Sequence, residues 1–194
     1  MRTQLLSATA IIFASVATFA FTATPASAQV TPRVEIHGGW DHAGDEGVDG
    51  DGIVYGIGAG VDFQLAPRVT AGVEANLDFS TADQCGSSVL AAGDLLCVEA
   101  GRDISAVGRL GYQVSDAGTI YALAGYTNGR FRIDYDPANG PLVTTRENLD
   151  GLRLGAGYQH NFANNLYSKV EYRYSNYEAG LDRHQVIAGL GIRF

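Results

Sequence analysis

Ser175, Asp182 and His184 lie close together near the end of the chain. They are a nucleophile, a carboxylate and a base, the set a hydrolase needs if folding brings them within hydrogen-bond reach. Asp45, Glu46, Asp49 and Asp51 form a second group, with carboxylates at a calcium-like spacing. It lacks the full EF-hand pattern and its closing Glu, so a solvated acidic tip is expected over a cation site. Cys85 and Cys97 form a third group. Their spacing does not suit zinc, which wants CxxC-type pairs or partnering histidines. The fourth group is the most widely spread. Glu35, Asp62, Glu74 and Glu171 stand against Arg109, Arg153, Lys169, Arg173 and Arg193, signs that nearly balance. Of the remaining histidines, His37 next to Glu35 is expected to be a satisfied interior group, His42 opens the acidic segment and His160 borders a turn. What these residues can do depends on which of them share a face.

The bounds are set first by the start of the chain. Arg2 precedes an apolar run from Leu5 to Phe21, followed by Pro25 and Ala26-Ser27-Ala28. That order is a secretory signal with an A-x-A-like cleavage site, so residues 1–28 are expected to be removed and one domain, 29–194, to remain. Without Arg2 the 13 basic residues become 12, against 21 acidic, a net charge of −9. Such a balance offers little to a phosphate backbone and argues against nucleic-acid binding. An even pair of cysteines in an exported chain reads as one disulfide, worth about 3 kcal/mol in the loop-entropy model. The mature part has no apolar run near the roughly 18 residues of a spanning helix. Its 25 Gly and 10 Tyr with one Met favour β-structure.

Period-two alternation recurs eight times. Val186, Ala188, Leu190, Ile192 and Phe194 share one parity, and Gln185, Ile187, Gly189, Gly191 and Arg193 the other. Val170, Tyr172 and Tyr174 oppose Lys169, Glu171 and Arg173. Comparable splits run through 33–41, 55–63, 69–79, 104–112 and 152–158. Apolar residues on one face and small or charged ones on the other describe a strand between two different media. The segment 119–133 is apolar on both parities from Ile120 to Ala124, and its faces stay unassigned.

Connection lengths alternate. Short turns are expected at 65–68, 115–118 and 161–165, and mostly longer, more polar loops at 43–52, 81–101 and 134–147, with a short one at 178–182. Tight turns on one side and longer loops on the other are the pattern of an up-and-down, eight-stranded antiparallel transmembrane β-barrel. A soluble β-sandwich would also alternate. Against it stand strands near the 9–11 residues that cross a bilayer at a tilt and charges recurring in mid-strand. Aromatics also collect at the strand ends. Trp40, Tyr55, Phe79 and Phe131 lie toward the loops; Phe63, Tyr112, Tyr121, Tyr158, Tyr167 and Phe194 lie toward the turns. An eight-stranded barrel has an interior that side chains about fill, so its charges are expected to pair as a structural plug, with an ion pathway the alternative.

The segments Val170-Glu171-Tyr172-Arg173-Tyr174-Ser175, Gly155-Ala156-Gly157-Tyr158 and His184-Gln185-Val186 through Gly191-Ile192-Arg193-Phe194 carry a more specific likeness. The chain resembles the small outer-membrane barrels: the OmpA transmembrane domain, the opacity-type proteins and, most of all, the porin-like surface antigens of alphaproteobacteria. The resemblance implies an outer-membrane location and contact with lipid and lipopolysaccharide. It implies insertion by the barrel-assembly machinery, with terminal Phe194 as its signal, and no cofactor. The implied role is a structural barrel and surface antigen supporting the envelope, with adhesion or recognition of a host or surface ligand through the external loops. The alternative is a narrow porin-like channel. A lipid A-modifying enzyme ranks third, because the His-x-Ser pattern of the lipid A deacylase barrels is missing and no catalytic or metal-binding residues are assigned.

Overall fold

Alternation assigns residues to faces, and the computed structural model shows what those faces enclose. The structure describes residues 30–45, 48–87, 93–162 and 165–194. The export segment expected at 1–28 lies outside them. Among the described residues there are nine strands: β1 (Val30–Asp45), β2 (Val48–Ala66), β3 (Val69–Ser80), β4 (Asp83–Ser87), β5 (Leu95–Gln113), β6 (Gly118–Asp136), β7 (Val143–Asn161), β8 (Leu166–Tyr177) and β9 (Asp182–Arg193). Eight form a ring in the order β3-β2-β1-β9-β8-β7-β6-β5. Antiparallel pairing of β3 with β5, from Val69↔Tyr112 to Phe79↔Arg102, closes it. Closure satisfies the backbone along the whole ring and leaves it no edge. No helix of the described residues is long and apolar enough to cross a membrane.

The ring is apolar outside and polar inside. Leu152 on the outer wall of β7 is 70 % exposed, while its neighbour Arg153 is fully buried in the lumen. Segment 119–133, apolar on both parities in sequence, resolves in the same way. Tyr121 and Leu123 face inward and are buried; Ile120 and Tyr126 face outward. Three aromatics expected in the rings at the strand ends turn inward instead: Tyr121, Tyr167 and Phe131 are all buried. Trp40, Tyr55, Phe79, Tyr112, Tyr158 and Phe194 remain exposed on the outer wall. Room for the inward rings comes from glycine. A Cβ on Gly191 would lie 2.3 Å from the Tyr167 ring, and one on Gly157 would lie 2.6 Å from that of Tyr121.

The segments expected as long loops are largely strand. β1 and β2 continue as a ladder to Asp45↔Val48. β5 begins at Leu95, β6 runs to Asp136 and β7 resumes at Val143, so the polar stretch 134–147 is mostly a hairpin. The region 81–101 contains β4, which pairs with the start of β5 outside the ring. Beyond the apolar belt both faces of a hairpin meet water, so polar residues, Gly and Pro replace the alternation that marks a strand in sequence. The connection between β8 and β9 is a single 3-10 turn, Glu178–Gly180, ending on Gly180 at φ +80°, a conformation that favours glycine.

Candidate functional site: the lumen lattice and its two ends

Every second residue of the ring strands points into the lumen. Seven basic side chains meet there (Arg33, Arg109, Arg153, Lys169, Arg173, Arg183, Arg193) with seven acidic ones (Glu35, Asp41, Asp62, Glu74, Asp78, Asp103, Glu171). Arg33 is the hub of the lower half. It reaches Glu35 at 3.3 Å, Asp62 at 3.1 Å and Glu74 at 2.6 Å. Lys169 pairs with Glu35 and, at 3.3 Å, with Glu171. Arg173 pairs with Glu171 and, at 3.0 Å, with Asp78. His37 holds the same Asp78 through Nε2 at 2.5 Å. Higher up, Arg153 donates to Asp103 at 2.9 Å, Ser105 at 3.0 Å and Ser175 at 2.9 Å. Arg183 bridges Asp41 at 2.8 Å and Asp103 at 3.1 Å.

Two of these pairs cross the full lumen. In the ring order, β8 lies opposite β3 and β9 opposite β5. Arg173–Asp78 and Arg183–Asp103 therefore join opposite walls. Buried hydroxyls complete the lattice. Tyr121 donates to Glu171 at 2.6 Å, Tyr167 to Glu35 at 2.7 Å, Thr127 to Asp103 at 2.7 Å and Tyr177 also to Asp103. Buried charges need this degree of pairing, because an unpaired one costs several kcal/mol.

The two ends of the lattice differ. Toward the long hairpins it gives way to an apolar cluster of Ala82, Ala100, Phe131 and Tyr177, with Leu149 and Leu181 packed against it. Phe131 meets Tyr177 edge-on, with ring centroids 5.6 Å apart. Toward the tight turns it opens into a polar cavity of about 200 Å³.

Of the charges that the sequence put inside, Glu35, Asp62, Glu74, Lys169, Glu171 and Arg173 come together around Arg33, with Arg153 above them. Arg109 and Arg193 stand apart, at the cavity. Arg33, His37, Asp41, Asp78, Asp103 and Arg183 are further members. The first four already lay on the inward parity of their strands; Asp103 and Arg183 fell beside segments that read as loop. Ser175 and His184 are separated by the barrel wall. Ser175 is buried in the lumen on Arg153, whereas His184 lies on the outer wall, bonded through Nδ1 to Tyr172 Oη at 2.6 Å. The catalytic trio does not assemble.

Outside the lattice, Cys85 and Cys97 face each other across β4 and β5 and are joined by a disulfide. His42 Nδ1 lies 2.9 Å from Asp51. The side chains of Asp45, Glu46 and Asp49 lie outside the described residues, and among those described no group of three or more potential ligands could hold a metal. Two carboxylates above the outer aromatic row share one arrangement. Asp150 accepts from Tyr126 at 2.5 Å and Asn128 at 2.6 Å; Asp182 accepts from Tyr174 at 2.8 Å and Asn176 at 2.6 Å. These donors hold both carboxyls below the ordinary range, Tyr126 foremost for Asp150 and Asn176 for Asp182. Phe194 is exposed, and its backbone N–H donates to the Pro32 carbonyl at 3.0 Å.

Comparison with known proteins agrees with this geometry. Residues 11–194 match the family model described as outer membrane protein beta-barrel domain. The 25 kDa outer-membrane immunogenic protein of Brucella ovis is 28% identical over 182 residues, covering 88% of this chain and 84% of that one. The 22 kDa outer membrane protein of Rhizobium leguminosarum bv. viciae is 27% identical over 156 residues, covering 72% and 67%. Among solved structures, the attachment invasion locus protein Ail of Yersinia pestis, in complex with the heparin analogue sucrose octasulfate, aligns with a TM-score of 0.59. It is 14% identical, over 86% of this chain and 99% of that one. Neisserial surface protein A aligns at 0.53 with 13% identity, over 84% and 97%. At these identities the structures speak for the fold.

Proposed function

The chain belongs to the outer membrane beta-barrel domain family, and from that premise we propose that it is a closed surface barrel whose work is done by its external hairpins. It is an outer-membrane protein, its outer wall in lipid and lipopolysaccharide. The observation that carries the reading is the filled lumen. Ion pairs cross it from wall to wall, and the apolar cluster around Phe131 and Tyr177 covers its external end. A pathway for ions would have to break both. By contrast, β5, β6 and β7 run to 19 residues each, well beyond the roughly 9–11 that cross a bilayer. The surplus, with β4 and the disulfide, forms a stiff sheet offered to the outside.

This supports a role as a surface antigen that braces the envelope, with adhesion or recognition through the hairpins. The Brucella relative is named as immunogenic and the Yersinia neighbour as an attachment protein, and both descriptions fit such a surface. We read the barrel as non-enzymatic, since its one hydrolase-like trio is split by the wall. Insertion by the barrel-assembly machinery, with Phe194 as the signal, belongs to the same proposal.

The test is conductance. Refolded protein in a planar bilayer is expected to be silent, and a Glu171→Gln variant nearly so. Discrete, ion-selective openings that change in that variant would replace the plug with a channel. Folding is checked independently by a semi-native gel, on which the unheated barrel runs ahead of the heated one.

A further inference from the structure

Five of the seven basic groups in the lumen have carboxylate partners within 4.0 Å. The other two, Arg109 and Arg193, have none among the described residues, and both line the polar cavity at the tight-turn end. Arg109 is more than nine-tenths buried. Its Nη2 donates to Gln159 at 2.7 Å and its guanidinium lies 3.6 Å above the Tyr121 ring, but its Nη1 has no acceptor. Arg193 Nε is likewise buried without an acceptor. Arg68, on the turn between β2 and β3, lines the same cavity. The one carboxylate of that lining, Asp62, is already engaged by Arg33 at 3.1 Å.

The cavity is therefore cationic, in a protein of net charge −8 whose other lumen cations are all neutralised. Guanidinium forks with spare N–H groups match the oxygens of a carboxylate or phosphate. The hydroxyls of Thr31, Thr70 and Thr119 at the wall supply neutral donors. A volume of about 200 Å³ admits one such group and excludes anything as large as a sugar phosphate chain. We propose that the tight-turn mouth of the lumen, the periplasmic end in the barrel pattern of short periplasmic turns and longer external loops, binds a single small oxyanion, clamped between Arg109 and Arg193 and entering between the turns. It can arrive as a free ion or as the terminal group of a longer chain. The site is a dead end, because the ion-paired lattice lies directly above it.

The experiment uses the refolded barrel in a non-ionic detergent, with heat mobility on a gel as the folding control. Binding of inorganic phosphate is followed by ³¹P line broadening. Binding of a short peptide with a free C-terminal carboxylate is followed by calorimetry, against the same peptide amidated. Saturable binding that falls about tenfold or more in Arg109→Gln and in Arg193→Gln, and is unchanged in the external Arg132→Gln, is expected. If Arg109→Gln fails to fold, Arg193→Gln and Arg68→Gln carry the comparison. Phosphate binding identifies a free ion as sufficient; binding of the free-acid peptide alone identifies a chain terminus. Absence of saturable binding by both probes, or binding unaffected by Arg193→Gln, overturns the site.

Discussion

The belt and the external sheet are built from the same strands yet have opposite interiors. On β6 the outward parity reads Ile120, Ala122, Ala124, Tyr126 and then Asn128, Arg130, Arg132, Asp134. The inward side changes in the reverse sense. Thr127 bonds to Asp103 within the lattice, and Phe131, two residues further along that face, is buried against Tyr177, Ala82 and Ala100. In β7 the outward residues pass from Leu154 and Leu152 to Asp150 and Asn148. Strand geometry is continuous through the change, so the medium outside decides which residues go where. Where lipid surrounds the strands, the apolar side faces out and the polar groups must satisfy each other inside. Just above the belt the inward face closes over a small apolar cluster, and beyond it both faces of the hairpins meet water. The consequence is energetic. The belt interior depends on charges that hold one another in register, and the external sheet depends on a few apolar contacts and one covalent link.

The largest effect should come from removing one member of a lumen pair. Arg173→Met takes one cation from both Asp78 and Glu171, whose charges are buried, and leaves Asp78 to His37 and Arg153 and Glu171 to Lys169 and Tyr121. It is expected to lower the barrel's stability by about 3–5 kcal/mol, read as a fall in the urea midpoint of refolded protein. The matching change in the external sheet, Arg132→Met, removes pairs of 3.6 and 3.8 Å between half-exposed groups. It is expected to cost no more than about 1 kcal/mol. Equal shifts for the two variants would remove the distinction between the regions.

Next in size is Phe131→Ala, which truncates one of the two rings of the apolar cap. Buried Phe-to-Ala changes typically cost about 3–5 kcal/mol. Here the loss should stay local, as faster hydrogen exchange in β4 and the first residues of β5, with the urea midpoint of the belt little changed. A global fall would mean that cap and belt unfold as one unit. Opening the disulfide sharpens the same point. The paired substitution Cys85→Ser, Cys97→Ser releases a closed loop worth about 3 kcal/mol in the entropy model, and its effect should be confined to the β4–β5 hairpin. On intact cells, a membrane-impermeant maleimide should label these cysteines only after reduction. Labelling confined to broken cells would reverse the orientation of the barrel.

These regional differences also explain what could be read from the sequence. Within the belt, two media impose strict alternation, so strand number, closure by short turns and the inward position of residues such as Glu74 and Arg153 were legible. Tyr167 and Tyr121 were misplaced because the amphipathic Tyr suits a membrane interface as well as a buried hydroxyl partner. Its inward position depends on Gly191 and Gly157 of adjacent strands, a pairing that register alone creates. Above the belt water wets both faces, the period-two signal fades, and hairpins such as 134–147 resemble loops. The separation of Ser175 from His184 was implicit in their opposite parities. The isolation of Arg109 and Arg193 was not, because it depends on which carboxylates other strands bring within reach.

The smallest effect tests the boundary between the two regions. Asp150 and Asp182 lie one residue pair above the outer aromatic row, on the outward face, and each accepts a hydrogen bond from a tyrosine of that row. Their carboxyls are held below the ordinary aspartate value of 3.8 by those bonds and by the neighbouring asparagines. A depressed folded-state value means that the stabilisation is present above the unfolded value and is lost as pH falls through the folded one. Tyr126→Phe and Tyr174→Phe should therefore raise the Asp150 and Asp182 titrations toward 3.8, followed by carboxyl NMR between about pH 2 and 6. The shift should be larger for Asp150, whose foremost donor is the tyrosine, than for Asp182, whose foremost donor is Asn176. Stability at neutral pH should barely move, because both carboxylates stay solvated. Titrations unmoved by either substitution would mean that the tyrosines serve the lipid interface alone, and that the switch from membrane to aqueous chemistry begins above the aspartates.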